Sequence, residues 1–125
     1  MPLVMVVDDV DVERAAARRL LEEAGYSVAE AADGLDAISL LDGLPPDLIL
    51  LDLSMPDLDG LSLLRYIRDD ARWQAIPVIV VTGSDDPDVT AEALSLGARE
   101  QLLKSHASVE AILDAVKRNL RLAGE

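Results

Sequence analysis

Residues 48–52 read Leu48-Ile49-Leu50-Leu51-Asp52, four apolar side chains in succession closed by a carboxylate. A short unbroken apolar run of this kind is a strand buried on both faces. Pro45-Pro46 breaks the chain just before it, so the third strand is placed at 47–52. The same form recurs on either side. Leu3-Val4-Met5-Val6-Val7 runs into Asp8-Asp9, Val78-Ile79-Val80-Val81 into Thr82, and Leu102-Leu103 into Lys104. In an open parallel sheet, ligands gather at the carboxyl ends of the strands. Asp8, Asp9, Asp52, Thr82 and Lys104 are therefore expected at one edge, where three carboxylates, a hydroxyl and an ammonium would share a pocket.

Amphipathic segments separate these runs. Val12, Ala16, Leu20 and Ala24 recur every four residues, which predicts a helix capped by Asp11 and stopped at Gly25. Tyr26 to Ala31 reads as a second strand, and Asp33-Gly34 opens a helix that ends near Gly43. A third helix carries Leu61, Leu64, Ile67 and Ala71 on one face. Pro77 leads into the fourth strand. Asp86 followed by Pro87 is an N-cap with proline at the first helical position, and that helix stops at Gly97. Val109, Ile112, Leu113, Val116 and Leu120 line the last helix. Five strand–helix pairs argue for a doubly wound α/β domain with a parallel sheet covered on both faces, and right-handed crossovers leave few topologies open.

The bulk numbers agree with one domain. The chain has 125 residues, half of them hydrophobic, and its only aromatics are Tyr26, Tyr66 and Trp73. A net charge of −13 argues against direct nucleic-acid binding, which needs Lys and Arg at phosphates. With no cysteine there is no disulfide or thiol chemistry. Neither a secretory signal nor a membrane span is expected, and a cytoplasmic location follows by default.

Crowded carboxylates cannot all stay ionised without a counter-charge. A hard divalent cation supplies one, and Mg2+ prefers one or two carboxylates together with water and phosphate oxygen. Thr82 and Lys104 then suit the oxygens of a phosphoryl group. Asp52, alone at the middle of the edge, is the carboxylate placed to take that group as an acyl phosphate. Read singly, each residue has an ordinary alternative: Asp8-Asp9 a helix entry, Thr82 a turn, Lys104 a surface charge. His106 and the acids at 85, 86 and 88 carry no assigned site chemistry, and Trp73 is expected to be a packing or loop anchor.

The ordered set resembles the receiver domain of two-component response regulators. It comprises Asp8-Asp9, Asp52, Met55-Pro56-x-x-Asp59-Gly60, Thr82-Gly83, Gly97-Ala98 and Lys104, over about Leu3 to Leu120. The resemblance implies a flavodoxin-like (βα)5 fold with strand order 2-1-3-4-5, as one receiver domain over 1–125. It implies that Asp52 is the phosphoacceptor. Asp9 and Asp52 would ligate Mg2+ directly, Asp8 would contribute through water, and the backbone carbonyl of Ser54 would be a further ligand. Thr82 and Lys104 would bond the phosphoryl group. Partners implied are a sensor histidine kinase or histidine phosphotransfer protein and a downstream protein target or an output domain outside this chain. Homodimerisation on activation is also consistent with the family.

Two positions depart from the family pattern. Gln101 replaces the usual Tyr or Phe, and Ser105 replaces the proline after the lysine. Gln101 is expected to stay solvent-accessible. The Lys104-Ser105 bond is expected to be trans, since a cis non-prolyl bond costs about 2.5–4 kcal/mol. Readout is expected in the loop at 82–84 and the fourth helix. Two other functions compete. One is a phosphate-independent interaction module, which the two departures favour and the five site residues oppose. The other is an aspartate-nucleophile phosphatase, opposed by Ser54 where that class places a second Asp.

Overall fold

The computed structural model describes residues 1–53, 60–83, 86–104 and 107–122. Five strands, β1 (Leu3–Val7), β2 (Ser27–Ala31), β3 (Leu48–Asp52), β4 (Val78–Thr82) and β5 (Glu100–Leu103), alternate with five helices. These are α1 (Asp11–Glu23), α2 (Gly34–Gly43), α3 (Gly60–Arg68), α4 (Pro87–Ser95) and α5 (Val109–Leu122). All pairings are parallel and the order is β2-β1-β3-β4-β5, the arrangement expected from the sequence.

Strand side chains point alternately to opposite faces, and the core divides accordingly. Val4, Val6, Leu48, Leu50 and Ile79 pack with Leu21 of α1 and Ala115, Val116 and Leu120 of α5. Met5, Val7, Ile49, Leu51, Val78 and Val80 pack on the other face with α2, α3 and α4, through Leu41, Leu63, Leu64, Ile67 and Ala93. Aliphatic side chains fill both layers, and the one tryptophan, Trp73, is buried with them.

Four helix details differ from the sequence expectation. Asp11 does not cap α1. Val10 holds the cap position without a side-chain bond, Asp8 Oδ1 accepts from the Val10 N–H at 2.9 Å, and Asp11 pairs with Arg14 at 2.6 Å. The buried stripe of α1 is also rotated. Val12, Ala16 and Ala24 are exposed, and Leu21 is buried with Ala17 packed beside it. A strict four-residue spacing drifts around a helix of 3.6 residues per turn, and Arg14 takes the inward place. Its guanidinium donates to the Asp8 carbonyl at 2.7 Å and to Glu30 at 3.1 Å. Finally, α3 ends at Arg68, so Ala71 lies exposed in a turn held by Asp70 against the Arg72 N–H. That turn delivers Trp73 to the core under Tyr66 and Arg72. Val109, at the start of α5, is likewise exposed.

The Asp33 and Asp86 caps are observed, each accepting a backbone N–H of its helix. Gly97 ends α4 with a φ of +89°, where a Cβ would also stand 2.7 Å from Arg68 Nε. Arg68 needs that space. Its guanidinium donates to four carbonyls, those of Leu96, Gly97, Gln74 and Ile76, tying α3 to the end of α4 and to the approach of β4. Replacing Arg68 by alanine strands these acceptors, and hydrogen bonds from a charged donor contribute about 1.5–3 kcal/mol each. Because the contributions do not add, Arg68→Ala is expected to destabilise by roughly 2–4 kcal/mol in urea unfolding. Arg68→Lys should recover less than half, since a single ammonium cannot reproduce the planar fork.

Candidate functional site

The carboxyl ends of β1, β3 and β5 bring Asp8, Asp52 and Lys104 together. Asp52 ends β3 with 4% of its surface exposed, and Asp8 follows β1 at 9%. By strand alternation both belong to the face covered by α1 and α5, beyond Val6 and Leu50. Lys104 follows β5, where its backbone N–H is fixed to the Thr82 carbonyl at 2.8 Å. From there its ammonium reaches Asp52 Oδ2 at 3.1 Å.

A fourth residue joins them that the sequence reading did not single out. Glu13, in the first turn of α1, accepts from Lys104 Nζ at 2.7 Å. Asp8, Glu13 and Asp52 each offer a carboxylate oxygen within 4.8 Å of the others. Its position becomes readable only once the rotation of α1 is known. Glu13 lies four residues before Ala17 on the helix leaving β1, so it faces the cleft that Asp8, Ala17 and Asp52 also line. Asp9 is half-buried beside Asp8 but stands outside this group.

Thr82 lies at the same edge, buried, one residue beyond the Val81 that pairs with Asp52. Alternation assigns it to the face of Val78 and Val80. The acids and the ammonium line the α1/α5 side, and Thr82 ends the strand that lies between those of Asp52 and Lys104. Gln101 is paired with Val80 on the α4 side. It is half-buried rather than freely accessible: Nε2 donates to Thr90 Oγ1 of α4 at 2.7 Å, and Oε1 is buried without a partner. The bond to Thr90 draws the amide towards α4, which the sequence expectation did not anticipate. Ser54, Met55, Pro56, Asp59, Ser84, Asp85, Ser105 and His106 lie outside the described residues, and so do the expected Ser54 ligand and Lys104-Ser105 bond.

Gly60 brings α3 close to the site. A Cβ there would lie 2.5 Å from Leu53 Cα and 2.7 Å from the Asp52 carbonyl oxygen, so only glycine allows the start of α3 to rest on the end of β3.

Electrostatics follow from the geometry. The Asp8 carboxyl is pushed up to about 6, chiefly by burial and further by the charges of Asp52 and Glu13, against the opposing Val10 N–H and Lys104. Burial pulls the Lys104 ammonium down, but its hydrogen bonds to Glu13 and Asp52 outweigh this and hold it above its ordinary value. Glu13 is lowered, mainly by its bond from Lys104. The group is over-supplied with negative charge, and its donors are all carboxylate oxygens. A hard cation fits that donor set.

A group whose folded pKa is raised stabilises the fold at pH values below its unfolded pKa, and this contribution is lost as pH rises through the folded value. For Asp8 the window runs from about 4 to about 6. In metal-free protein, Asp8→Asn should therefore stabilise at pH 7, on the order of 1–3 kcal/mol. The gain should shrink towards pH 4, as measured by thermal unfolding across that range.

Comparison with known proteins is consistent with this architecture. The family model for the response regulator receiver domain matches residues 4–117. The Regulator of RpoS of Escherichia coli strain K12 is 38% identical over 101 residues, covering 81% of this chain and 29% of that protein. Protein PilH of Pseudomonas aeruginosa is 36% identical over 104 residues, covering 83% of this chain and 86% of its own length. Among solved structures, the chemotaxis protein CheY4 of Vibrio cholerae superposes with a TM-score of 0.88 at 29% identity, covering 94% of this chain and 98% of CheY4. The chain thus spans under a third of one of these relatives and most of another. With the β2-β1-β3-β4-β5 sheet and the charged group at its carboxyl edge, these matches establish that the chain belongs to the response regulator receiver domains, the phosphoacceptor modules of two-component signalling.

Proposed function

We propose that Asp52 is the residue that accepts the phosphoryl group. The observation that carries this reading is a nearly fully buried carboxylate, at the end of the central strand, hydrogen-bonded to a lysine ammonium. One carboxylate oxygen forms the new O–P bond as the N–P bond of a phosphohistidine breaks, and the electron pair leaves on the imidazole nitrogen. Lys104 neutralises charge on the incoming group. Thr82, at the edge between Asp52 and Lys104, donates its hydroxyl to a phosphoryl oxygen. Hydrolysis of the acyl phosphate by water returns Asp52 to its carboxylate.

Mg2+ is the cation proposed for the site, and when bound it offsets charge on the carboxylates and on the phosphoryl oxygens. Asp9 and Asp52 would hold it directly, Asp8 through water and Ser54 by its carbonyl. Support comes from the all-oxygen donor set and the raised Asp8 carboxyl. The domain is read as a single receiver over 1–125 that turns over no substrate beyond its own phosphorylation and dephosphorylation. Its donor would be a histidine kinase or phosphotransfer protein, and its output a protein target or a domain outside this chain. Among the described residues no helix is long and apolar enough to cross a membrane. A cytoplasmic setting suits a kinase-fed module.

A small acyl-phosphate donor with Mg2+ should add one phosphoryl group by intact-mass spectrometry, and Asp52→Asn should abolish it. A wild-type level of label in Asp52→Asn would refute the assignment. Calorimetric Mg2+ titration should show a larger loss of affinity in Asp9→Asn than in Asp8→Asn, and equal or reversed losses would count against the ligand ranking.

A further inference from the structure

Glu13 and Lys104 are joined although 91 residues separate them, and both ends of the link are anchored. Arg14, the next residue in α1, is bound to the Asp8 carbonyl at 2.7 Å and to Glu30 at 3.1 Å, which holds the first turn of α1 against β1 and β2. Lys104 is held at its root by the Thr82 carbonyl. The ammonium between these fixed points lies 2.7 Å from Glu13 and 3.1 Å from Asp52. The nearer carboxylate is the one with 47% of its side chain exposed, whereas only 3% of the Asp52 side chain is exposed. A lysine serving only to balance its buried neighbour would not need this second acid.

We propose that Glu13 is a positioning residue for Lys104: it holds the ammonium partway towards α1 and so weakens the hold of the site on a phosphoryl group. The inference rests on the reading of Asp52 as acceptor. A phosphoryl group on Asp52 adds oxygens that compete for the three N–H donors of Lys104, and every donor retained by Glu13 is withheld from them. The Glu13 carboxylate also stands close enough to Asp8 and Asp52 to repel an incoming anion. Both effects act in the same direction. Arrival of the phosphoryl group then draws Lys104 off Glu13, which uncouples the first turn of α1 from the end of β5.

The test uses the full chain at saturating Mg2+, with beryllium fluoride as the phosphoryl stand-in and the Thr82 amide resonance as the binding signal. Glu13→Gln should tighten binding by about two- to fivefold, the range for a half-exposed ion pair. Asp11→Asn is the control. It removes an acid from the same helical turn that pairs with Arg14 and not with Lys104, and should change affinity less than Glu13→Gln. In a second arm, the Lys104 side-chain 15N resonance is measured without any ligand and should shift in Glu13→Gln only. Unchanged or weaker binding in Glu13→Gln, or equal tightening in Asp11→Asn, overturns the proposal. Wild-type protein that does not bind beryllium fluoride defeats the Asp52 reading instead. The lysine resonance then decides only whether Glu13 positions Lys104, a shift supporting that placement and an unmoved resonance overturning it.

Discussion

A carboxylate as buried as Asp52 is tenable only with a cation beside it, because desolvating an unpaired charge costs several kcal/mol. That cation cannot come from a sequence neighbour. It comes from Lys104, 52 residues away and two strands across the sheet. The strand order is therefore a chemical requirement as well as a topological outcome. β4 must lie between β3 and β5, and its Thr82 carbonyl must hold the Lys104 backbone, for the ammonium to reach Asp52. The apolar strands on both faces set this spacing, and the glycine at 60 lets α3 close over the same strand end.

The site is built with more acid than one lysine can balance. Asp8 carries the cost, its carboxyl pushed up to about 6 by burial and by its acidic neighbours. Such a group is poised to gain from a cation, since metal binding favours the ionised form. Folding stability and ligand binding are thereby linked in one place. The fold tolerates crowded charge at its edge because the two apolar layers beneath it provide the stability.

The sheet and its edge were legible in the sequence because buried parallel strands are written as nearly pure apolar runs, and the residues closing them fall at the ligand-binding end. Asp8, Asp52, Thr82 and Lys104 could be found that way. Glu13 could not, since it lies on a helix among several other acids and only the rotation of α1 decides which of them faces the cleft. The same rotation misplaced the buried stripe of α1: a spacing of four suggested Val12 and Ala16, but an arginine stem, satisfied by a carbonyl and Glu30, occupies the inward face. Gln101 was misjudged for a related reason. Polarity alone argued for solvent, but Thr90 supplies a half-buried partner for half of the amide. Side chains that enter the interior through one specific bond leave no periodic trace.

The Arg68 guanidinium has a mechanical consequence for α4. By binding the Leu96 and Gly97 carbonyls from α3, it pins the foot of α4 to α3. The Gln101–Thr90 bond secures the same helix nearer its N-terminal end, but through one neutral contact with an unsatisfied oxygen next to it. The two attachments are unequal. Between them, the Arg65–Glu92 ion pair at 3.0 Å ties the middle of α4 to α3, and Ala93 is fully buried in the core. The attachment of α4 is therefore graded along its length, tied by charge through its C-terminal half and held nearer its start by one neutral bond and the packing of Val89.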